Sequence, residues 1–393
     1  MALPALKVAV RAYLAATMPS GKLKRILFII GTRPEMIKFA PLILKMRREE
    51  NFEPVVCFTG QHKGLLDDTA AFFGIRPDHH LNLMRPDQTP VSFLSRSLKR
   101  LDKIIEKENP DLVFVQGDTS TVLSGSLAAF YHKVRIAHLE AGLRSHDKFN
   151  PYPEEMNRLL CSRLADFHFA PTRTAAENLV AEGLTRDVFV TGNTVIDSLF
   201  LCLEILDSQD ETEYVDYFNQ IDWSKKIILV TCHRRENFGE PLDRILAAIE
   251  KFANRFPEVQ IVFPVHPNPN IRQMVYDRLE PIPNILLTAS LPYPYLVWIL
   301  NKSYFVVTDS GGIQEEAPYL DKPVLVLRTL TERVESIQAG TAVLVGNQQN
   351  TILENMVRMY EDETFYRSFQ QKAHPYGTGD SADQILRILK ERL

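Results

Sequence analysis

Short apolar runs and longer amphipathic stretches alternate along almost the whole chain. Runs at Arg25–Ile30, Pro54–Phe58, Leu112–Val115, Arg135–Leu139 and Phe167–Ala170 are each followed by a segment of helix length. The rhythm resumes at Ile227–Thr231, Gln260–Pro264, Asn284–Leu287, Tyr304–Val307 and Pro323–Leu327. Continuous apolar runs without polar alternation are the pattern of strands covered on both faces, and alternating strands and helices imply parallel sheets. Ten strands are many for one such sheet. Two Rossmann-like halves facing each other across a cleft are the simplest α/β architecture. Residues Asp207 to Trp223, polar and poor in aliphatics, read as a boundary region between them.

In open parallel sheets ligands bind beyond the carboxyl ends of the strands, so chemistry is sought just after each apolar run. The first run ends in Gly31-Thr32-Arg33-Pro34-Glu35, with Pro34 suited to a helix start and Lys38 one turn on. Others end in Gln116-Gly117-Asp118-Thr119 and in His138-Leu139-Glu140-Ala141-Gly142-Leu143-Arg144. A proline-punctuated loop then carries Glu154 and Arg158. In the second half the tips carry His233-Arg234-Arg235-Glu236-Asn237, Pro264-Val265-His266-Pro267 and Asp309-Ser310-Gly311-Gly312.

The last of these is the most telling. Two glycines between a buried strand and a helix expected over Gln314–Leu320 let backbone N–H groups approach an anion, and Glu316 lies further along that helix. N–H groups suit phosphate and a carboxylate suits ribose hydroxyls. Taken singly, each Asp, Glu or His reads as a cap or a solvated group. Their recurrence at successive strand tips points to a sugar nucleotide, held by the second half with its sugar toward the acids of the first.

Composition narrows the field. The 393 residues suffice for two domains, and 45% hydrophobic with 24% charged residues is ordinary for a globular protein. A net charge of -4 gives no nucleic-acid footprint. No run approaches a membrane span. Cys57, Cys161, Cys202 and Cys232 lack metal or disulfide spacing and fit a reducing cytoplasm. Residues 1–22 read as a short amphipathic extension, since Lys7 and Arg11 interrupt what would be the apolar core of a signal peptide.

The ordered blocks above, together with Thr191-Gly192-Asn193-Thr194 and Pro375-Tyr376-Gly377, resemble the bacterial non-hydrolysing UDP-N-acetylglucosamine 2-epimerases from about Lys24 to the C-terminus. The resemblance implies a GT-B-like fold whose C-terminal helix crosses back to the first domain. The domains would comprise 23–193 plus 378–393 and 194–377. It implies interconversion of UDP-N-acetylglucosamine and UDP-N-acetylmannosamine by a cytoplasmic homodimer, with no metal or other cofactor. Asp118, Glu140, Glu154 and His233 would be catalytic. Arg33, Lys38, Arg158, Arg235, Ser310, Gly311, Gly312 and Glu316 would hold UDP. A second, activating substrate site would involve Gln61, Gly64, Asp87 and His266. There Gly64 stands where a second Gln is common and Asp87 where Arg is common. Val334 replaces a usual Pro in the loop Thr331-Glu332-Arg333-Val334-Glu335. A hydrolysing 2-epimerase, a GT-B glycosyltransferase and a sugar-nucleotide sensor remain alternative readings.

Overall fold

The computed structural model describes residues 23–60, 64–85, 88–370 and 374–393. The expected extension at 1–22, Gln61 and Asp87 lie outside the described residues. Among the described residues thirteen strands form two wholly parallel sheets. The first comprises β1 (Lys24–Ile30), β2 (Phe52–Phe58), β3 (His79–His80), β4 (Leu112–Gln116), β5 (Arg135–Leu139), β6 (Phe167–Ala170) and β7 (Val188–Val190). Its order is β3-β2-β1-β4-β5-β6-β7. The second comprises β8 (Lys226–Thr231), β9 (Val259–Val265), β10 (Ile285–Ala289), β11 (Phe305–Thr308), β12 (Val324–Val326) and β13 (Ala342–Leu344), in the order β10-β9-β8-β11-β12-β13.

Each sheet reverses direction of winding beside its first strand. β1 pairs with both β2 and β4, in the register Leu27↔Val55 and Leu27↔Val113; β8 pairs with β9 and β11. Such reversals open a crevice at the carboxyl edge, which is where the candidate residues emerge. All ten expected strands are present. The three not expected, β3, β7 and β13, are two or three residues long and sit at sheet edges, where one flank needs no apolar cover.

Aromatic packing fixes the helix that carries Arg33 and Lys38. Phe39, on the helix Arg33–Met46, meets Phe28 edge-on at 5.1 Å, and Phe28 stacks on Phe114 at 5.3 Å. Each such pair contributes about 0.5–1.5 kcal/mol beyond area burial. Locked on this face, the helix turns Lys38 toward the cleft. The C-terminal helix Ser381–Arg392 buries Ile385 and Leu389. It starts on Asp197, whose carboxylate accepts from the backbone N–H groups of Ser381 (3.3 Å) and Ala382 (2.9 Å), and Lys45 bonds Asp383 at 2.6 Å. It thus packs on helices that follow β1 and β7. The polar segment Asp207–Trp223 is anchored by aromatics rather than aliphatics, with Tyr214 and Phe218 stacked on Trp298 at 5.8 and 5.5 Å. Among the described residues no helix is long and apolar enough to cross a membrane.

Candidate active site

A cavity of about 480 Å³ lies between the carboxyl edges of the two sheets, within the range of ligand pockets. Asp118, Glu140, Glu154, Arg33, Lys38 and Arg158 line it from the first sheet's side. His233, Ser310, Gly311, Gly312 and Glu316 line it from the second. Residues more than two hundred positions apart are therefore brought together.

On the first wall Glu140 and Asp118 each meet a cation. Glu140 follows β5 with φ of +64°, a left-handed conformation uncommon for a residue with a side chain and typical of over-determined functional positions. Both its oxygens are bonded by Lys38 Nζ, at 2.7 and 2.6 Å, and Gln116 Nε2 donates to Oε2. Burial alone would raise the Glu140 carboxyl. Lys38 and then Arg333 outweigh it and hold the group below its ordinary value. Asp118 follows the Gly117 turn and pairs with Arg158, Nη2 to Oδ2 at 2.6 Å and Nε to Oδ2 at 2.9 Å. Here too burial works upward, and the guanidinium reverses it to a net lowering. Arg158 also bonds Glu155 at 3.0 Å.

Glu35 differs. Its carboxylate accepts from the backbone N–H groups of Gly31 and Thr32 and from Thr119 Oγ1 at 2.7 Å, so it ties the β1 and β4 tips together. No cation is among these partners, and burial raises it to about 7.

The second wall is organised around the buried Asp309. Its carboxylate accepts from the backbone N–H groups of His233 (2.9 Å) and Arg234 (2.8 Å), from Asn237 Nδ2 (3.0 Å), and meets His233 Nδ1 at 3.1 Å. These contacts overcome burial and hold it well below the usual carboxylate range. Bonding at Nδ1 leaves His233 Nε2 for the cleft. His266 stacks near His233, ring centroids 6.2 Å apart. Tyr293 OH donates to Glu316 at 2.7 Å, and burial raises Glu316 to about 7. Arg33 reaches across the cleft to donate to Leu291 O at 2.9 Å.

The glycine turn differs from its expected form. The helix begins at Gly311, with Ser310 as its extended N-cap, rather than at Gln314, and continues from Ala317 to Leu320 as a 3₁₀ turn. Neither Gly311 nor Gly312 has positive φ. At Gly311 the constraint is space: a Cβ there would lie 3.0 Å from Arg333 Cζ.

Two further cations line the cavity: Arg234, read among the second half's strand-tip groups, and Arg333, which the sequence reading did not offer. The side chain of Arg235 lies outside the described residues; that of Arg234 lines the cavity, its Nε buried without a hydrogen bond among the described residues. Arg333 bonds Glu315 at 2.9 Å and Glu140 at 3.4 Å. Its position just beyond β12 obeys the strand-tip rule and was the available signal. Gly64 is exposed at the start of the helix Leu65–Phe72 and does not line the cavity. Among the described residues no cluster of three or more His, Cys, Asp or Glu is set to hold a metal ion.

Two Rossmann-like lobes with charged groups gathered at their facing strand tips define a GT-B-like class of α/β protein. The family model described as UDP-N-acetylglucosamine 2-epimerase matches residues 44–390. The UDP-N-acetylglucosamine 2-epimerase of Escherichia coli (strain K12) is 44% identical over 369 residues, covering 93% of this chain and 98% of that protein. The crystal structure of UDP-GlcNAc 2-epimerase from Neisseria meningitidis bound to UDP-GlcNAc superposes with a TM-score of 0.91 at 41% identity, covering 94% of this chain and 100% of that one. That of Methanocaldococcus jannaschii, in complex with UDP-GlcNAc and UDP, gives 0.83 at 31% identity over 93% and 99%. The chain belongs to the UDP-N-acetylglucosamine 2-epimerase family.

Proposed function

We propose that this protein interconverts UDP-N-acetylglucosamine and UDP-N-acetylmannosamine without hydrolysis, by eliminating and re-adding UDP through a 2-acetamidoglucal. One observation carries the reading: three carboxylates, Asp118, Glu140 and Glu154, share a cavity with His233 and the Ser310–Gly312 backbone. The C2 proton of the sugar is not acidic enough for direct inversion. Breaking the C1–O bond sends its electron pair to the diphosphate and makes that proton removable. A carboxylate takes the proton as the C1=C2 bond forms. Return of UDP to C1, with a proton delivered to the opposite face of C2, gives the epimer. Two faces of one carbon call for more than one acid–base group.

Asp118, Glu140 and Glu154 handle these protons. Arg33, Lys38, His233 and the Ser310–Gly312 N–H groups stabilise and retain the departing diphosphate, and Glu316 holds the ribose. Arg158, bonded to Asp118, orients it. Residues 23–193 with 378–393 supply the acids together with Arg33 and Lys38, and 194–377 supply the rest of the UDP site. The protein works as a homodimer in the cytoplasm, making N-acetylmannosamine units for cell-surface polysaccharide. Incubation with UDP-N-acetylglucosamine in deuterated water, followed through the anomeric protons by NMR, should give UDP-N-acetylmannosamine deuterated at C2. Stoichiometric free N-acetylmannosamine with no UDP-linked epimer would overturn it in favour of hydrolysis.

A further inference from the structure

Glu140 is held by an unusual number of donors for a group assigned to take a proton. Lys38 comes from the helix after β1, Gln116 from β4 and Asn193 from the segment after β7, its Nδ2 3.5 Å from Oε1. Arg333 comes from the opposite lobe. The remaining charged or titratable neighbours are Asp118 beyond β4, His138 on β5 and Glu315 on the second lobe. A carboxylate saturated by two cations and two amides is a weak base. It gains basicity only if one of these partners moves.

Lys38 is bidentate on Glu140, whereas Arg333 is the long contact at 3.4 Å and its other partner, Glu315, belongs to its own lobe. The Arg333 guanidinium also lies against the Gly311 backbone, 3.0 Å from where a Cβ would stand. It therefore touches the place assigned to the diphosphate and the acid assigned to the sugar at once. A planar fork of donors binds a diphosphate better than a carboxylate already held by an ammonium.

We propose that Arg333 is a shared cation: it pairs with Glu140 while the cleft is empty and passes to the diphosphate when a UDP-sugar binds, so that Glu140 becomes a competent base only with substrate in place. This rests on the functional reading above. It couples arrival of the leaving group to activation of the base. Burial already pushes the Glu315 carboxyl upward against the pull of Arg333 and Lys38, so Glu315 can accept a proton as Arg333 departs.

The test is a pair of pH profiles with UDP affinity. The acid limb of kcat/KM reports the empty enzyme and that of kcat the loaded one. In the wild type the kcat limb should lie at higher pH. Arg333→Gln should raise the kcat/KM limb toward the kcat limb, leave the kcat limb in place, and weaken UDP binding by calorimetry about tenfold or more. Arg333→Lys keeps the charge without the fork and should fall between; if Arg333→Gln does not fold, Arg333→Lys decides on the same readouts. UDP affinity within about twofold of wild type, or both limbs moving together, overturns the shared cation. A wild type that turns over with coincident limbs defeats this inference alone. A wild type that forms no UDP-linked epimer defeats the functional reading itself.

Discussion

Two pairs of acids on facing walls of the cleft titrate in opposite directions. Asp118 and Glu140, on the first, titrate below their ordinary values; Glu315 and Glu316, on the second, titrate above them. Burial pushes all four upward, so burial is not the difference. Asp118 has Arg158 at 2.6 Å and Glu140 has Lys38 at the same distance, while Glu316 is bonded by a neutral tyrosine hydroxyl. Glu35 shows that the lobe does not decide: it stands on the first wall, bonds only N–H and hydroxyl groups, and rises to about 7. A cation does not always suffice either, since Glu315 bonds Arg333 at 2.9 Å and burial still holds it raised. Asp118 and Glu140 thus offer charged carboxylates near neutral pH, and Glu316 offers an acid raised to about 7 on the wall whose backbone is held by Asp309.

The sharpest way to break this contrast is to neutralise the first wall. Asp118→Asn, Glu140→Gln and Glu154→Gln should each lower kcat by roughly 10²–10⁴-fold, the worth of a positioned acid or base. UDP affinity should stay within a few-fold, because none of the three acids is itself assigned to UDP. Three variants with near-wild-type kcat would end the assignment. Equal losses in UDP affinity would show that the walls do not divide the labour.

The acids with raised values leave a mark on stability. A carboxyl whose folded value lies above its unfolded one binds protons more tightly in the native state, so stability falls as pH rises through that window. For Glu35 and Glu316 the window runs from 4.5 to about 7. Each contributes up to roughly 3 kcal/mol across it, at about 1.4 kcal/mol per unit. Asp118, Asp309 and Glu332, held low, act in the opposite sense in more acid solution. Over nearly the same window His138 and His168, lowered by burial to about 4, act against Glu35 and Glu316, so the mark of a single acid is read by difference. Between pH 4.5 and 7 the urea midpoint of Glu316→Gln should rise relative to wild type, and an unchanged difference would place the proton elsewhere.

This asymmetry explains what the sequence could reveal. The strands were legible because both faces of each central strand are covered, which forces a run such as Ile26–Ile30. β3 consists of two histidines at an edge and carries no such signature. The cleft residues were legible because topology puts ligand groups at strand tips. Their partners were not. The Lys38–Glu140 bond joins different strand tips, and the Arg333–Glu140 contact joins different lobes, so no local spacing encodes either. The helix start at Gly311 was misplaced because the two glycines read as turn formers, whereas Gly311 answers to the guanidinium of Arg333.

The smallest expected effect lies at the rim, where the lobes would share a second substrate site. Gly64 belongs to the first lobe and is exposed; a Cβ there would meet nothing within 4 Å, and its φ of +78° disfavours any side chain. His266 belongs to the second lobe, near His233. Glycine supplies no hydrogen-bonding side chain, and a carboxylate in place of arginine at Asp87 would repel a diphosphate by a few kcal/mol before screening, taking unit charges about 4 Å apart. Initial rates against UDP-N-acetylglucosamine should then be hyperbolic, and the reverse reaction should run without priming. Gly64→Gln should cost about 1–2 kcal/mol of stability from its backbone conformation and change kcat by less than about twofold, because the rim group touches neither wall's chemistry. Sigmoidal rates, with a reverse reaction that stalls until UDP-N-acetylglucosamine is added, would mean that the rim couples the two walls after all.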